Sequence, residues 1–392
     1  MNTHRKYLMT GATGYLGATA LFAIMDDTQS DVVLLVRRVS DEQLIIDDLK
    51  LNFEVEGKPF KEEYTERIRF VQFDSIGTLE IALEKVKSLS IDEILHCAGC
   101  VDYYDKEKLS SGNVEFTRKL VEFAQNSGIE HIVYLSTAMS SGYLQGEIAE
   151  TLHQEPEEDP TVYTSSKRKA EWVVANSGLN YRILRPTIVI GDSRTGRYTG
   201  KRYGLYQQWI GFENLLCDRY HETIHLVGPK QPLNFLHQDA FKNTFSYALE
   251  NLAPNSIMHI TSATGSAPTM REVWMMWLGR VTCPQQVVFY DKFDDIPLRD
   301  ISTRQRAYLT FAAINLEIAS HLWQFETSHL DRFRTQGLQF ADASLATITH
   351  CQERFASTSK KIARYRQQFS DKLAKEITSL DAKDLEQDFV SS

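Results

Sequence analysis

With 392 residues, the chain is long enough to bury one large α/β core or two smaller lobes. Its 43 basic and 52 acidic residues leave a formal net charge of −9, so we expect no nucleic-acid partner. No apolar stretch is long enough to span a bilayer, and five cysteines, an odd number, favour a reduced cytoplasmic enzyme over a disulfide scaffold. The first predicted strand begins within a few residues of the start, so we expect no signal peptide.

The first predicted element is a short buried strand at residues 7–9, which breaks into a glycine-rich turn. Gly11, Gly14 and Gly17 lie in this turn, and an apolar, alanine-rich helical pattern follows at residues 18–25. Strand, glycine turn and helix form the context of a dinucleotide-binding loop, in which the N–H groups at the helix start face the phosphates. The pattern therefore predicts a dinucleotide site, and an ordinary glycine-rich turn is the alternative.

Short apolar runs then alternate with helical patterns along the chain. We predict strands at residues 32–36, 68–73, 93–97, 131–135, 181–184 and 257–261, and helices that include residues 112–125 and 165–175. This βαβα order predicts a doubly wound, Rossmann-like parallel sheet with helices on both faces. We expect a cofactor domain at 1–192 with a returning segment near 236–262, a smaller substrate lobe at 193–355, and a helical tail at 356–392.

The end of the second predicted strand bears on the choice of cofactor. Arg37 and Arg38 stand where an acidic residue would hydrogen-bond the adenosine ribose of NAD. Guanidinium groups make forked bonds to phosphate oxygens, so this pair favours NADPH over NADH. The alternative is that both arginines are solvent-facing charges in a turn.

The candidate catalytic residues lie further along the chain. Tyr163 and Lys167 are one turn apart if a helix begins near Thr164, and a nearby ammonium lowers the pKa of a phenol. Such a tyrosine works as a general acid or base closer to neutral pH. Thr137 follows the fifth predicted strand, at the sheet edge where ligands bind. We therefore expect Thr137 to hydrogen-bond a substrate carbonyl beside Tyr163.

Together these motifs resemble the extended short-chain dehydrogenase/reductases. The resemblance rests on residues 10–17, Asp74, residues 96–99, Asn113, residues 136–137, the YxxSKxxAE run at 163–171, and residues 185–187. It implies that Thr137, Tyr163 and Lys167 are catalytic and that Lys167 also holds the nicotinamide ribose. It implies a cofactor site made of Thr10, Gly11, Thr13, Gly14, Tyr15, Leu16, Gly17, Arg37, Arg38, Asp74, Ala98, Gly99, Asn113, Lys167, Pro186 and Thr187.

Residues 96–104, 113–114 and 185–196 are similar to one branch, the fatty acyl-CoA reductase (male-sterility-like) and carrier-protein thioester reductase group. That similarity implies NADPH-dependent reduction of an acyl thioester, carried on coenzyme A or an acyl carrier protein, to an aldehyde or alcohol. The alternatives are a ketone or aldehyde reductase, a sugar-nucleotide epimerase or dehydratase, and a non-catalytic NADP-sensing or scaffold protein. The intact catalytic trio argues against the non-catalytic alternative.

Substrate determinants are expected mainly in the second lobe. Arg194, Arg197, Lys201 and Arg202 are candidates to hold the phosphates of coenzyme A or of a phosphopantetheine arm, whereas a solvated loop is the alternative. The predicted substrate-binding residues are Val101, Met139, Arg197 and Tyr206. The apolar face at residues 205–216 fits an acyl tunnel or, as we favour, ordinary lobe core.

Two further patterns concern the tail and the cysteines. Apolar residues recur at helical spacing between 362 and 380, which predicts a helix that packs on its own protein or on a second subunit of a homodimer. Attachment to a membrane surface is a less favoured alternative. Cys97 and Cys100 form a CxxC motif, but no second pair or nearby histidine completes a zinc site. We interpret both as packing residues and expect no metal.

Overall fold

The computed structural model describes residues 4–101, 105–200, 203–299 and 301–384, and its main element in these ranges is a seven-stranded parallel sheet. The strands are β1 (Lys6–Thr10), β2 (Asp31–Val36), β3 (Ile68–Gln72), β4 (Glu93–His96), β5 (His131–Leu135), β6 (Glu147–Ile148), β7 (Asn180–Pro186), β8 (Ile188–Ile190), β9 (Thr223–Val227), β10 (Phe235–His237), β11 (Ser256–Ile260), β12 (Gln286–Tyr290), β13 (Gln324–Phe325) and β14 (Thr378–Asp381).

The helices surround this sheet and build the second lobe. They are α1 (Tyr15–Asp27), α2 (Ser40–Val55), α3 (Glu63–Glu66), α4 (Leu79–Lys87), α5 (Lys106–Leu109), α6 (Phe116–Ser127), α7 (Val162–Ala175), α8 (Gly204–Leu216), α9 (Gln238–Asn251), α10 (Met270–Arg280), α11 (Thr303–Ser320), α12 (Ser328–Thr335), α13 (Leu345–Thr358) and α14 (Lys360–Gln368). A π-helical turn, Ser110–Glu115, leads into α6.

The main sheet has the strand order β3-β2-β1-β4-β5-β7-β11, and every neighbouring pair is parallel. Met9 in β1 pairs with Leu34 on one side and Leu95 on the other. The chain order reverses between β1 and β4, and a ligand crevice is expected at such a switch point, outside the carboxyl ends of the strands. The doubly wound fold predicted from the alternating pattern is therefore confirmed.

Two apolar cores cover the faces of the sheet. One core contains side chains of α1, α2 and α9, such as Phe22 and Phe245, and the other contains side chains of α4, α6 and α7, such as Leu83 and Leu120. Strands buried on both faces read as nearly continuous apolar runs, which is why they were recognisable in the sequence. Among the helices of the described ranges, none is both long and apolar enough to cross a bilayer.

The second lobe has its own apolar core, built from α8, α10, α11, α13 and the small parallel sheet β9-β12-β14. Trp209 of α8 and Trp277 of α10 are fully buried, and their rings stack with centroids 5.1 Å apart. Most of the apolar face at residues 205–216 belongs to this core, as we favoured. Leu205 also reaches the cavity described below.

The tail departs from the predicted helix. Helix α14 buries Ile362 and Tyr365 in the lobe core of the same chain, but the chain then turns, and β14 pairs with β12. Arg271 forms an ion pair with Asp381 at the end of β14. The helix therefore ends earlier than the apolar spacing indicated, because pairing with β12 satisfies the backbone groups of β14 and covers a strand edge.

Gly17 is a position where the glycine turn has no room for a side chain. A Cβ there would overlap the carbonyl oxygen of Gly11, so we expect Gly17→Ala to displace α1 and lower the free energy of unfolding by about 1–3 kcal/mol, as overpacked sites do. Urea unfolding measures this loss. Gly279→Ala in α10 is the matched control, since a Cβ there meets nothing within 4 Å and alanine is the better helix former. A Gly17→Ala variant that unfolds at the same urea concentration as the unmodified protein would contradict the close packing at Gly17.

Candidate active site

A cavity of about 310 Å³ extends from the glycine turn, past the carboxyl ends of the sheet strands, into the second lobe. The turn and the start of α1 contribute Gly14, Tyr15, Leu16 and Gly17 to its wall. The strand ends and α7 contribute Gly99, Thr137, Tyr163, Lys167, Pro186 and Thr187. The second lobe contributes Leu205, Gln208, Asn234, Phe235, Met270 and Ile318. The cavity therefore joins about half of the predicted cofactor residues to a mostly apolar pocket.

The glycine turn lies close to the end of β4. Gly11 has a φ of +80°, and a Cβ at this position would overlap the backbone of Ala98. Helix α1 begins at Tyr15, directly after Gly14, so its amino end faces the cavity. The N–H groups and positive dipole end of a helix suit the phosphates of a dinucleotide at this place.

Two predicted cofactor residues, Thr10 and Asn113, hold neighbouring segments in place. The Thr10 Oγ1 lies 2.8 Å from Nδ1 of the buried His96. The Asn113 side chain accepts a bond from the Cys100 N–H at 2.7 Å and donates to the Cys100 carbonyl at 3.1 Å. It also donates to Oγ of Ser166 on α7 at 2.8 Å. Asn113 thereby connects the segment after β4 to the helix that carries Tyr163 and Lys167.

The three candidate catalytic residues meet at the cavity. Tyr163 and Lys167 are one turn apart on α7, and Thr137 follows β5. All three side chains belong to the cavity wall. The Lys167 Nζ donates to the Leu135 carbonyl at 2.7 Å and lies 4.2 Å from the centre of the Tyr134 ring. The structure thus brings together the residues that the helical spacing and the strand end suggested.

The surroundings of Lys167 lower the pKa of its ammonium and leave open space beside it. Burial lowers the pKa of Lys167 to about 7, while the negative charge of Glu171 acts in the opposite direction. Gly99 lies next to the ammonium, since a Cβ there would be 3.6 Å from the Lys167 Nζ and 3.3 Å from the Asn113 Oδ1. A glycine at this position leaves the cavity open beside Lys167, which fits a nicotinamide ribose.

A buried ion pair lies behind this site. Arg185 of β7 donates to the Glu171 carboxylate of α7 from Nη2 at 2.7 Å and from Nε at 3.0 Å, and both side chains have 0% exposure. The Ser140 hydroxyl donates to the same carboxylate at 2.9 Å. Burial acts to raise the pKa of Glu171, but the Arg185 charge and hydrogen bonds lower it overall. Neither residue is among the predicted site residues, although Glu171 lies in the YxxSKxxAE run and Arg185 in the run at 185–187.

The predicted adenosine-binding residues lie outside the cavity wall. Arg37 and Arg38 follow β2 and are exposed, as is Asp74 after β3. The Arg38 guanidinium already bonds Oδ1 of Asp41 from Nη2 at 2.9 Å and from Nε at 3.1 Å. Arg37 is therefore the better candidate of the two for a 2′-phosphate.

The predicted substrate residues divide into two groups. Val101 and Met139 belong to the cavity wall. Tyr206 instead packs in the lobe core, where its ring stacks on Tyr198 with centroids 3.8 Å apart and its hydroxyl accepts a bond from the Gly191 N–H. Tyr206 therefore packs against Tyr198 of the cavity wall and does not itself line the cavity.

The arginines proposed to bind coenzyme phosphates have partners within the protein. Arg197 bonds Glu54 of α2 at 2.7 Å, and Arg194 bonds Glu56 at 2.8 Å and Asp192 at 2.9 Å. Both arginines lie away from the cavity wall, because acidic groups near the end of α2 hold them. The other two candidates, at positions 201 and 202, lie outside the described residues. The structure therefore gives the phosphate hypothesis no support at Arg194 and Arg197.

The lobe end of the cavity also carries polar side chains that are absent from the predicted site, Gln208, Asn234 and Asn315. The available signal was Gln208, a carboxamide three residues after Leu205 within an otherwise apolar helical face. Asn234 and Asn315 are distant in sequence from each other and from Gln208. No local sequence pattern therefore predicts that the three side chains line the same cavity.

Comparison with known proteins places the chain among nicotinamide-dependent enzymes. The profile of the family described as male sterility protein, an NAD-binding domain, matches residues 9–240. The L-2-aminoadipate reductase of Schizosaccharomyces pombe (strain 972 / ATCC 24843) is 28% identical over 214 residues, which are 49% of this chain and 15% of that protein. A hybrid PKS-NRPS synthetase of Fusarium sp. (strain FN080326) is 27% identical over 132 residues, 32% of this chain and 3% of that protein. The chain thus spans a small fraction of the length of these relatives.

Solved structures share the fold at low sequence identity. The terminal R domain of the myxalamid PKS-NRPS pathway superimposes with a TM-score of 0.70 and 20% identity, covering 91% of both chains. A thiolation-reductase di-domain from an archaeal non-ribosomal peptide synthetase gives 0.64 and 19%, covering 94% of this chain and 76% of that one. A UDP-glucuronic acid 4-epimerase from Bacillus cereus, solved with NAD, gives 0.62 and 17%, covering 89% and 98%.

The buried ion pair predicts that the nearly isosteric change Glu171→Gln strongly lowers the free energy of unfolding. Glu171→Gln leaves Arg185 buried without a counter-charge, so we expect the free energy of unfolding to fall by about 3–5 kcal/mol in urea titrations. Glu63→Gln is the control, since its partner Lys61 is an exposed residue and exposed pairs contribute little. We expect its unfolding midpoint to stay near that of the unmodified protein. A Glu171→Gln midpoint equal to that of the control would contradict the stabilising role of the pair.

Proposed function

Because the chain belongs to the male sterility protein family, within the extended short-chain dehydrogenase/reductases, we propose that this NAD(P)-dependent oxidoreductase reduces acyl thioesters with NADPH. The observation that carries the proposal is the convergence of Thr137, Tyr163 and Lys167 on a cavity that continues into an apolar lobe. The reductases named among the relatives and structural neighbours support this chemistry.

The chain's own residues would serve the reaction as follows. When bound, the nicotinamide supplies a hydride for the acyl carbon. Thr137 and Tyr163 hydrogen-bond the carbonyl oxygen as negative charge develops on it, and Tyr163 donates its phenolic proton to that oxygen. The ammonium of Lys167 stabilises the phenolate that remains. A thioester substrate then gives a hemithioacetal, which expels the thiol and leaves an aldehyde, and a second reduction gives the alcohol.

The carrier thiol would enter on the side of the cavity that is open to solvent. Val101 and Tyr203 are large apolar side chains that are exposed and also line the cavity. A pantetheine arm passing between them would place its thioester near Tyr163 and its acyl group among Leu205, Met270 and Ile318. Coenzyme A and an acyl carrier protein both present such an arm, and the thiolation-reductase neighbour supports the carrier protein.

A ketone or aldehyde reductase, or a sugar-nucleotide enzyme, is the second candidate. The likeness to the UDP-glucuronic acid 4-epimerase favours it, and the same three residues serve either chemistry. Apart from the carboxamides of Gln208, Asn234 and Asn315, the lobe end of the cavity is apolar. It therefore suits an acyl chain better than a sugar nucleotide, which needs many polar partners.

The proposed reaction is tested by following NADPH oxidation with acyl-coenzyme A and acyl-pantetheine thioesters beside the matching aldehydes and ketones. We expect thioester-dependent oxidation that falls by about 10²-fold or more in Tyr163→Phe, because the proton donor is lost. Tyr247→Phe is the control, since that hydroxyl lies on α9 and contacts the Gln336 carbonyl. Activity confined to aldehydes and ketones would instead support the second candidate.

The preference for NADPH is tested separately. Arg37→Ala should raise KM for NADPH about tenfold or more and leave KM for NADH nearly unchanged, because a charge-assisted bond to the 2′-phosphate contributes about 1.5–3 kcal/mol. Arg38→Ala is the matched comparison, and we expect a smaller effect because Asp41 already binds that guanidinium. Equal KM values of the unmodified enzyme for both cofactors would overturn the preference.

A further inference from the structure

Two carboxamide side chains at the lobe end of the cavity are buried and lack hydrogen-bond partners for some of their atoms. Gln208 of α8 is 1% exposed, and neither its Oε1 nor its Nε2 has a partner among the described residues. Asn234, just before β10, is 6% exposed. Its Nδ2 donates to the Trp323 carbonyl at 3.2 Å, while its Oδ1 has no partner within the same ranges. Both residues belong to the cavity wall.

These open polar atoms are costly in their surroundings. A buried donor or acceptor without a partner costs about 1–3 kcal/mol, and buried polar groups in folded proteins are nearly always satisfied. Gln208 stands among apolar neighbours on the same helix, including Leu205 and Phe212, where a leucine would avoid this cost. Gln352 also has an open Oε1, but it lies in the packed lobe core rather than on the cavity wall. Gln208 and Asn234 differ from Gln352 because both line the cavity, so a group bound there is the candidate partner for their open atoms.

A third carboxamide lies on the same wall. Gly211 of α8 packs against Phe311 of α11 so closely that a Cβ at Gly211 would overlap the phenyl ring. Gln208 and Asn315 each lie about one turn from this contact on their own helices, and both line the cavity. The junction of α8 and α11 therefore presents polar groups to a part of the cavity that is otherwise apolar.

We propose that Gln208 and Asn234 are specificity-determining residues that bind a hydrogen-bonding substituent on the acyl chain, remote from the thioester. The substituent both donates and accepts hydrogen bonds, and a secondary amide within the chain is the simplest case. Its N–H bonds an open side-chain oxygen, and its C=O accepts from the Gln208 Nε2. A plain hydrocarbon chain leaves all three open atoms unpaired. The inference rests on the proposed thioester reduction and names the substrate class of that site.

Matched acyl-pantetheine thioesters test the proposal. Each pair has the same number of chain atoms, with CO–NH in one member and CH₂–CH₂ in the other, and the amide is moved along the chain through the series. At one amide position, we expect kcat/KM to favour the amide by about tenfold or more, since a site built to bond a polar group rejects the analogue that lacks it.

Gln208→Met removes both open polar atoms at similar volume. We expect it to lower kcat/KM for the amide substrate, to raise it for the hydrocarbon, and so to erase most of the preference. Gln352→Met is the matched control, and we expect the preference to persist because that carboxamide lies in the lobe core. Asn234→Leu is a second variant in case Gln208→Met does not fold. A preference absent at every amide position, or an equal effect of Gln208→Met on both substrates, would overturn the proposal.

A binding measurement separates this inference from the proposed reaction. The alcohols that correspond to the amide and the hydrocarbon acyl chains can be measured as ligands without any reaction. Trp323 on the cavity wall provides a fluorescence signal for their binding. We expect the amide alcohol to bind more tightly, and Gln208→Met to remove the difference. Such a result without any thioester reduction would refute the proposed reaction and leave the amide subsite standing. Thioester reduction without discrimination in either assay would refute the subsite alone.

Discussion

The buried ion pair between Glu171 and Arg185 is the interaction on which the geometry of the active site depends. Glu171 lies one turn after Lys167 on α7, and Arg185 lies in the adjoining strand β7. Taking both charges out of water costs several kcal/mol, which the two Arg185 bonds and the Ser140 hydroxyl offset. The pair therefore fixes the position of α7 relative to the strand ends. Its carboxylate also opposes the effect of burial on the pKa of Lys167.

The cavity combines two structural units with different tasks. The sheet edge and α7 supply Thr137, Tyr163 and Lys167 on rigid elements, whereas the second lobe supplies the wall that an acyl chain would meet. A small apolar cluster that includes Met139 and Trp323 lies where the two units join. Changes at the sheet edge should therefore alter the chemistry, and changes in the lobe should alter the choice of substrate.

Much of the fold could be predicted because its signals are local. Except for the edge strand β3, the strands of the main sheet are buried on both faces and read as short apolar runs. The glycine turn is defined by steric limits at Gly11 and Gly17. The tail was less predictable. Apolar residues up to position 380 keep a helical spacing, but residues 378–381 pair with the edge of β12 as a strand. Because β12 is about 90 residues earlier in the chain, local periodicity does not predict this pairing.

The sequence by itself determined the glycine turn, the spacing of Tyr163 and Lys167 and the strand that ends before Thr137, because each depends on residues within one or two turns of chain. Only the tertiary structure decided which charges are free. Glu54 holds Arg197 across 143 residues of sequence. The tertiary structure also decided that Gln208 and Asn234 face one cavity, because burial and the absence of a partner are properties of packed elements rather than of sequence neighbours.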